Sequence, residues 1–232
     1  MTQSRVMTYN IFMGGRRGAA LQEVVRGVAP DVLLVNESPK MPLLWKRQCL
    51  KLADKWDMQF VGGGRKAGSN MVTVGPGVRV KSVHASVFKT PLFQPRRGIV
   101  AVQLSAEGRL FGVVSCHLSL ERKRRIREVE EIIAAADRLR GLVVVAGDLN
   151  EKPGGPCWKR LKQAGFIDHG TNFIDHGTKQ WLTFPAEEPE TRIDALLVRG
   201  NARVLHHGDP GVPIELQKDA SDHRGVLAVL EI

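Results

Sequence analysis

The chain has 232 residues, which suits one large domain (1–232) with a proper core. Its 43% hydrophobic and 25% charged residues are ordinary for a globular protein, and no stretch reaches the roughly 18 uninterrupted apolar residues of a helical membrane span. The net charge of +10 favours phosphorylated or polyanionic partners but does not by itself establish nucleic-acid binding.

In chain order, residues 6–12 read as a first strand closed by Gly14-Gly15. Residues 19–28 carry apolar side chains at helical spacing and stop at Pro30. A short buried strand at 32–35 leads directly to Glu37, and 43–52 reads as a helix. Gly62-Gly63-Gly64 matches no nucleotide-binding fingerprint and reads as a flexible loop. Strands follow at 71–74, 78–88, 99–104 and 110–116, with turns at Gly75-Pro76-Gly77 and Glu107-Gly108. Residues 121–139 form the clearest helix, with Ile126, Val129, Ile132, Ile133, Ala136 and Leu139 on one face. A strand at 142–147, a helix at 155–164 and strands at 192–198, 202–207 and 225–231 complete the pattern. Phe166-Ile167-Asp168-His169-Gly170-Thr171 recurs at 173–178. Two copies are too short for a repeat architecture, which needs periods of roughly 20 residues or more. The copies read as a surface-loop duplication, with His169 and His176 as solvated loop residues rather than metal ligands.

Many strands with few helices predict an α/β (α+β) sandwich: two mixed or mostly antiparallel sheets with outer helices, four layers in the order αββα. Glu37, His117, Asp148 and Asn150 stand at or just after the C-terminal ends of apolar runs. Asp194, Asp222 and His223 stand at or before N-terminal ends. In antiparallel or mixed sheets those two kinds of end share one edge, so all these residues can converge on one rim. Carboxylates suit a hard divalent cation, an amide fixes a water or phosphate oxygen, and an imidazole moves a proton. Together they point to metal-assisted hydrolysis of a phosphate ester.

Six segments carry a resemblance in order: Met7-Thr8-Tyr9-Asn10-Ile11, the run Asp31 through Glu37, Ser115-Cys116-His117-Leu118, Gly147-Asp148-Leu149-Asn150, Arg192-Ile193-Asp194 and Ser221-Asp222-His223. Each alone is weak. In this order they resemble the endonuclease/exonuclease/phosphatase superfamily across nearly the whole chain, with Asn36 standing where the family usually has Gln. The resemblance implies that Glu37 binds Mg2+ or Mn2+, with Asp222 and Asn10 nearby. It implies that Asp148 orients or deprotonates the attacking water beside Asn150. His223, held by Asp194, would contact phosphate or act as acid or base, and His117 would donate to a non-bridging phosphate oxygen. Asn70 and one of Arg96 and Arg97 are further candidates for phosphate contact, each with a competing role as a turn or edge residue. Bland alternatives are a strand-end pin for Asn10 and a core histidine for His117.

The expected activity is nuclease-like phosphoester hydrolysis. The alternatives are a phospholipid, inositol-phosphate or small-molecule phosphatase, or a non-catalytic phosphate- or nucleic-acid-binding module. The basic run Arg122-Lys123-Arg124-Arg125 with Arg127 opposes the helix dipole at its start, which invites a phosphate-binding role; a solvated face is the plainer reading. Cys49, Cys116 and Cys157 form no CxxC pair and are expected as reduced thiols. The first five residues enter a strand-like run at once and leave no room for a signal peptide, so we expect a cytoplasmic monomer acting on a phosphate-ester substrate, with nucleic acid as one candidate.

Overall fold

The computed structural model describes residues 3–171 and 181–232. Twelve strands form among them: β1 (Gln3–Asn10), β2 (Val32–Asn36), β3 (Gln59–Gly64), β4 (Asn70–Val74), β5 (Val78–Val87), β6 (Gly98–Ala106), β7 (Arg109–His117), β8 (Leu142–Asp148), β9 (Ile167–Asp168), β10 (Asp194–Arg199), β11 (Arg203–Gly208) and β12 (Val226–Glu231). The helices are α1 (Gly18–Val28), α2 (Trp45–Lys55), α3 (Arg122–Ala136), α4 (Pro156–Gln163) and α5 (Ile214–Ala220). One six-stranded sheet has the order β11-β12-β1-β2-β4-β3, the other β5-β6-β7-β8-β10-β9. Each is mixed, with one parallel pair (β1 with β2, β7 with β8) among antiparallel neighbours.

Side chains alternate along every strand, and the parity sorts them into layers. Val6, Val32, Leu34, Val72, Val74, Val226 and Ala228 of the first sheet meet Val100, Val102, Val113, Val144, Ala146 and Leu196 of the second in one shared core. The opposite parity of the first sheet (Met7, Tyr9, Leu33, Val35) packs on Leu21, Val24 and Val25 of α1. In the second sheet Val114, Cys116, Val143 and Val145 pack on Val129 and Ile132 of α3 and Trp158 and Leu161 of α4. The four-layer αββα sandwich expected from the sequence is therefore the fold.

The same parity places the polar residues. Continuing the inward-facing series to the end of each strand gives Asn10, Asn36, Asn70, His117, Asp148 and Asp194. Register aligns them: Gly98 opposes His117, His117 opposes Asp148 and Asp148 opposes Asp194 in one row across the second sheet, while Asn10 opposes Asn36 in the first. The core layer thus ends, at one edge, in a row of polar side chains.

Several elements depart from expectation. Gly62-Gly63-Gly64 lies in edge strand β3, paired with β4, and is not a loop. Glycine is required there: a Cβ at Gly63 would stand 2.2 Å from the Asn70 carbonyl oxygen, and one at Gly64 2.4 Å from the Trp45 ring. Ile126 is exposed, because the apolar stripe of α3 begins only at Val129. In the duplicated segment, Phe166 is buried and Ile167–Asp168 forms β9 against β10, so the first copy is not a surface loop. The second copy, with His176, lies outside the described residues. All three cysteines are free and buried. Among the described residues no helix is long and apolar enough to cross a membrane.

Candidate active site

The site forms where β8 ends. Gly147 there has φ +143, and a Cβ would lie 1.8 Å from the Cys116 carbonyl oxygen, so only glycine lets β7 and β8 close at this point. Asp148 follows, 2% exposed. Its Oδ1 accepts the Asn150 N–H (2.8 Å) and its Oδ2 accepts from Asn10 Nδ2 (3.2 Å). His117 Nε2 stands 3.2 Å from that same Oδ2, and His223 Nε2 3.9 Å. Burial alone would push the Asp148 carboxyl up, but the imidazoles of His117 and His223 and the Asn150 N–H hold it well below the usual carboxylate range. Asp148 is thus a fixed anion, better suited to accepting a hydrogen bond than to taking a proton outright.

His223, on the turn before β12, stands beside Asp148. Its Nδ1 donates to Asp194 Oδ2 at 2.8 Å, and Phe184 packs on the ring at 4.7 Å between centroids. Burial pushes the imidazole down, yet the carboxylates of Asp194, Asp148 and Asp222 outweigh it and lift it to about 9. Asp194 is held by Thr183, whose Oγ1 accepts the Ile193 and Asp194 N–H groups at 3.2 and 3.3 Å. Burial, the largest influence, raises the Asp194 carboxyl. Ser221 donates to the Asn10 carbonyl oxygen at 2.6 Å and ties the His223 turn to β1.

Asn36 joins the two sheets beneath the site. It is fully buried; its Oδ1 accepts the Asp148 N–H (2.9 Å), and its Nδ2 donates to Asn70 Oδ1 (2.7 Å) and to the Cys116 carbonyl oxygen (2.8 Å). Replacing Asn36 with Ala leaves the buried Asp148 N–H and Asn70 Oδ1 unpaired, and we expect a loss of about 2–4 kcal/mol, read as a lower urea midpoint at unchanged slope.

The predicted residues separate into groups. Asn10, His117, Asp148, Asn150, Asp194 and His223 are brought together. His117 is buried, with Arg97 Nη1 donating to its Nδ1 at 2.9 Å and Asp148 at its other nitrogen, so it braces these two groups rather than facing open space. Asn70 is fully buried and both its amide protons are used, on the Ala67 and Gly98 carbonyl oxygens; this leaves no donor for a phosphate, and the reading as a direct contact gives way to one as a support for Asn36. Of the two arginines, Arg97 enters the site, 3.6 Å from Glu37 Oε1, whereas Arg96 points into solvent and is not part of it. Glu37 and Asp222 are half-buried on the turns after β2 and before β12, which flank β1 and Asn10 on either side. Within the basic run, Arg124 pairs with Glu128 and Arg125 with Glu151; Glu128 in turn accepts from Ser119 through both its N–H and its hydroxyl. Those two arginines therefore fix the turn after β7. Thr183, Phe184 and Ser221 were not expected as site residues; only Ser221, beside Asp222-His223, carried a sequence signal.

Asp148, Asp194 and His223 offer ligand atoms within 4.8 Å of one another, a group that could hold a metal ion. Among the described residues Asp194 Oδ1 has no hydrogen-bond partner, which fits that possibility. The other atoms of the trio are engaged with one another and with Asn10, His117 and the Asn150 N–H.

A two-sheet sandwich with carboxylates and imidazoles gathered at one edge defines a class, and the comparisons specify it. The endonuclease/exonuclease/phosphatase family profile matches residues 7–223, and the chain belongs to that family of divalent-metal-dependent phosphoester hydrolases. No curated protein sequence matches the chain. Among solved structures, an endonuclease/exonuclease/phosphatase from Bacteroides vulgatus is 18% identical, covers all of both chains and has a TM-score of 0.81. The human Nocturnin catalytic domain with bound sulfate is 14% identical over 99% of this chain and 94% of its own, TM-score 0.77. TDP2 from D. rerio, in complex with a single-strand DNA product, is 15% identical over all of both chains, TM-score 0.72. At these identities the likeness is one of fold.

Proposed function

We propose that this chain is a divalent-metal-dependent phosphoesterase in which an ordered water attacks phosphorus. The observation that carries the reading is the single row Arg97–His117–Asp148 with the Asp194–His223 pair at its end, a fixed anion beside a polarised imidazole. Asp148 accepts a proton-bearing oxygen and aims it, and Asn150 and Asn10 hold the carboxylate in place. The positively charged His223 stabilises charge on the phosphoryl group or supplies a proton to the leaving oxygen, with Asp194 orienting the ring and supporting its charge. Arg97 presents a guanidinium to phosphate.

Glu37 and Asp222, half-buried carboxylates flanking Asn10, offer the hard oxygen donors that Mg2+ or Mn2+ prefers. They suit a cation better than the buried trio, where the His223 imidazole, lifted to about 9, already supplies a positive charge beside Asp194. A divalent cation there would neutralise phosphoryl and leaving-group oxygens.

The net charge of +10 fits any polyanionic substrate and does not choose among nucleic acid, phospholipid and small ester. A panel of single-stranded DNA, supercoiled plasmid, RNA, an abasic-site duplex, sphingomyelin, an inositol phosphate and bis-p-nitrophenyl phosphate makes that choice. We expect hydrolysis of at least one with Mg2+ or Mn2+ and none in EDTA. No turnover on any member together with no metal binding would leave the non-catalytic module as the better account.

A further inference from the structure

Loops 37–44, 88–97 and 118–123, the last running into the first turn of α3, follow β2, β5 and β7 at the edge that carries the site. Arg97 ties them together, pairing with Glu37 on one side and His117 on the other, while Arg124 reaches across to Thr90 at 3.4 Å and to Gln94. At their tips stand Leu43, Leu92, Phe93 and Leu120, which are 96%, 81%, 99% and 76% exposed. Scattered surface leucines need no explanation, but four nearly bare apolar side chains on three joined loops beside one site do. Leu43 and Phe93 sit at φ +65 and +66, backbone that favours glycine, so these loops hold bulky apolar groups outward in a strained conformation. Across the same three loops there are six Lys and Arg against two Glu, and one of the two, Glu37, is paired with Arg97.

We propose that this rim docks on an anionic lipid surface, the four apolar tips entering the headgroup region while Lys40, Lys89, Arg96, Arg122 and Lys123, all exposed, meet the negative headgroups. The complementarity is twofold: apolar tips for the acyl boundary and cations for its charge. A single-stranded nucleic acid would use the cations equally but needs successive rings for its bases, and of the four tips only Phe93 is aromatic. The proposal rests on the phosphoesterase reading only for its consequence, that the ester reaching the Asp148 centre is a lipid headgroup phosphate.

The test is sedimentation with vesicles of phosphatidylcholine alone and with equal parts phosphatidylglycerol, in EDTA at low salt, beside hydrolysis of the soluble ester bis-p-nitrophenyl phosphate with metal. We expect binding to the mixed vesicles only. The double variant Leu92→Ser/Phe93→Ser, both sites being exposed, should weaken it by about tenfold or more while leaving soluble-ester turnover unchanged. Absence of vesicle binding, equal binding by the variant, or a variant that loses single-stranded DNA instead of vesicles would overturn the proposal. Failure of the catalytic reading shows separately, as no hydrolysis of the soluble ester by the wild-type chain.

Discussion

Asp148→Asn is expected to lower turnover by about 1,000-fold while the protein stays folded. The substituted amide keeps an oxygen for the Asn150 N–H, so the turn after β8 retains its anchor. Its other atom becomes a donor facing Asn10 Nδ2 and His117 Nε2, two groups that now share an anion. The charge that orients the attacking water is gone, and so is one of the carboxylates that lift the His223 imidazole. A thermal melt close to wild type together with the lost rate would place the effect in the chemistry. Turnover within about tenfold of wild type would remove Asp148 from the centre of the account.

Asp194→Asn is the second large effect, an expected fall in kcat of about 100–1,000-fold with KM little changed. Asp194 contacts His223 Nδ1 and acts through that ring, so it is a positioning residue. Without the carboxylate, the tautomer and orientation of the imidazole are no longer fixed. The sign on acidity follows from the same contact. Asp194 is the strongest of the influences that raise His223, so its loss should lower the imidazole from about 9 toward its ordinary value. A ring-proton NMR titration of the metal-free protein reads this directly. An unshifted His223 would show that the Asp194 contact does not govern the ring.

Much of this was legible in the sequence because apolar runs ended in polar residues. Val143-Val144-Val145-Ala146 runs straight into Gly147-Asp148, and alternate positions of that run fix which way Asp148 faces. The same counting, 70, 72, 74, would have turned Asn70 inward to the core rather than out to a phosphate. What pattern could not supply was contact across the sheets. Asn36 read as a departure from the family at a strand end; only the packing of β2 against β7 and β8 reveals that its amide holds the Asp148 backbone. Three glycines at 62–64 have no side-chain periodicity at all, so nothing in the sequence marks β3, whose glycines answer instead to the close approach of Asn70 and Trp45. Arg96 and Arg97 are chemically identical neighbours, and only the turn into β6 decides that Arg97 enters the site.

The central claim is that this edge hydrolyses phosphate esters with a divalent metal held by Glu37 and Asp222 beside the Asp148 centre. Its most direct test is the initial rate of bis-p-nitrophenyl phosphate hydrolysis by metal-free protein as Mg2+ or Mn2+ is added. The account predicts a rate that rises from background, saturates, returns to background with EDTA and is absent from Asp148→Asn. A rate indifferent to metal, or one equal in Asp148→Asn, would contradict it.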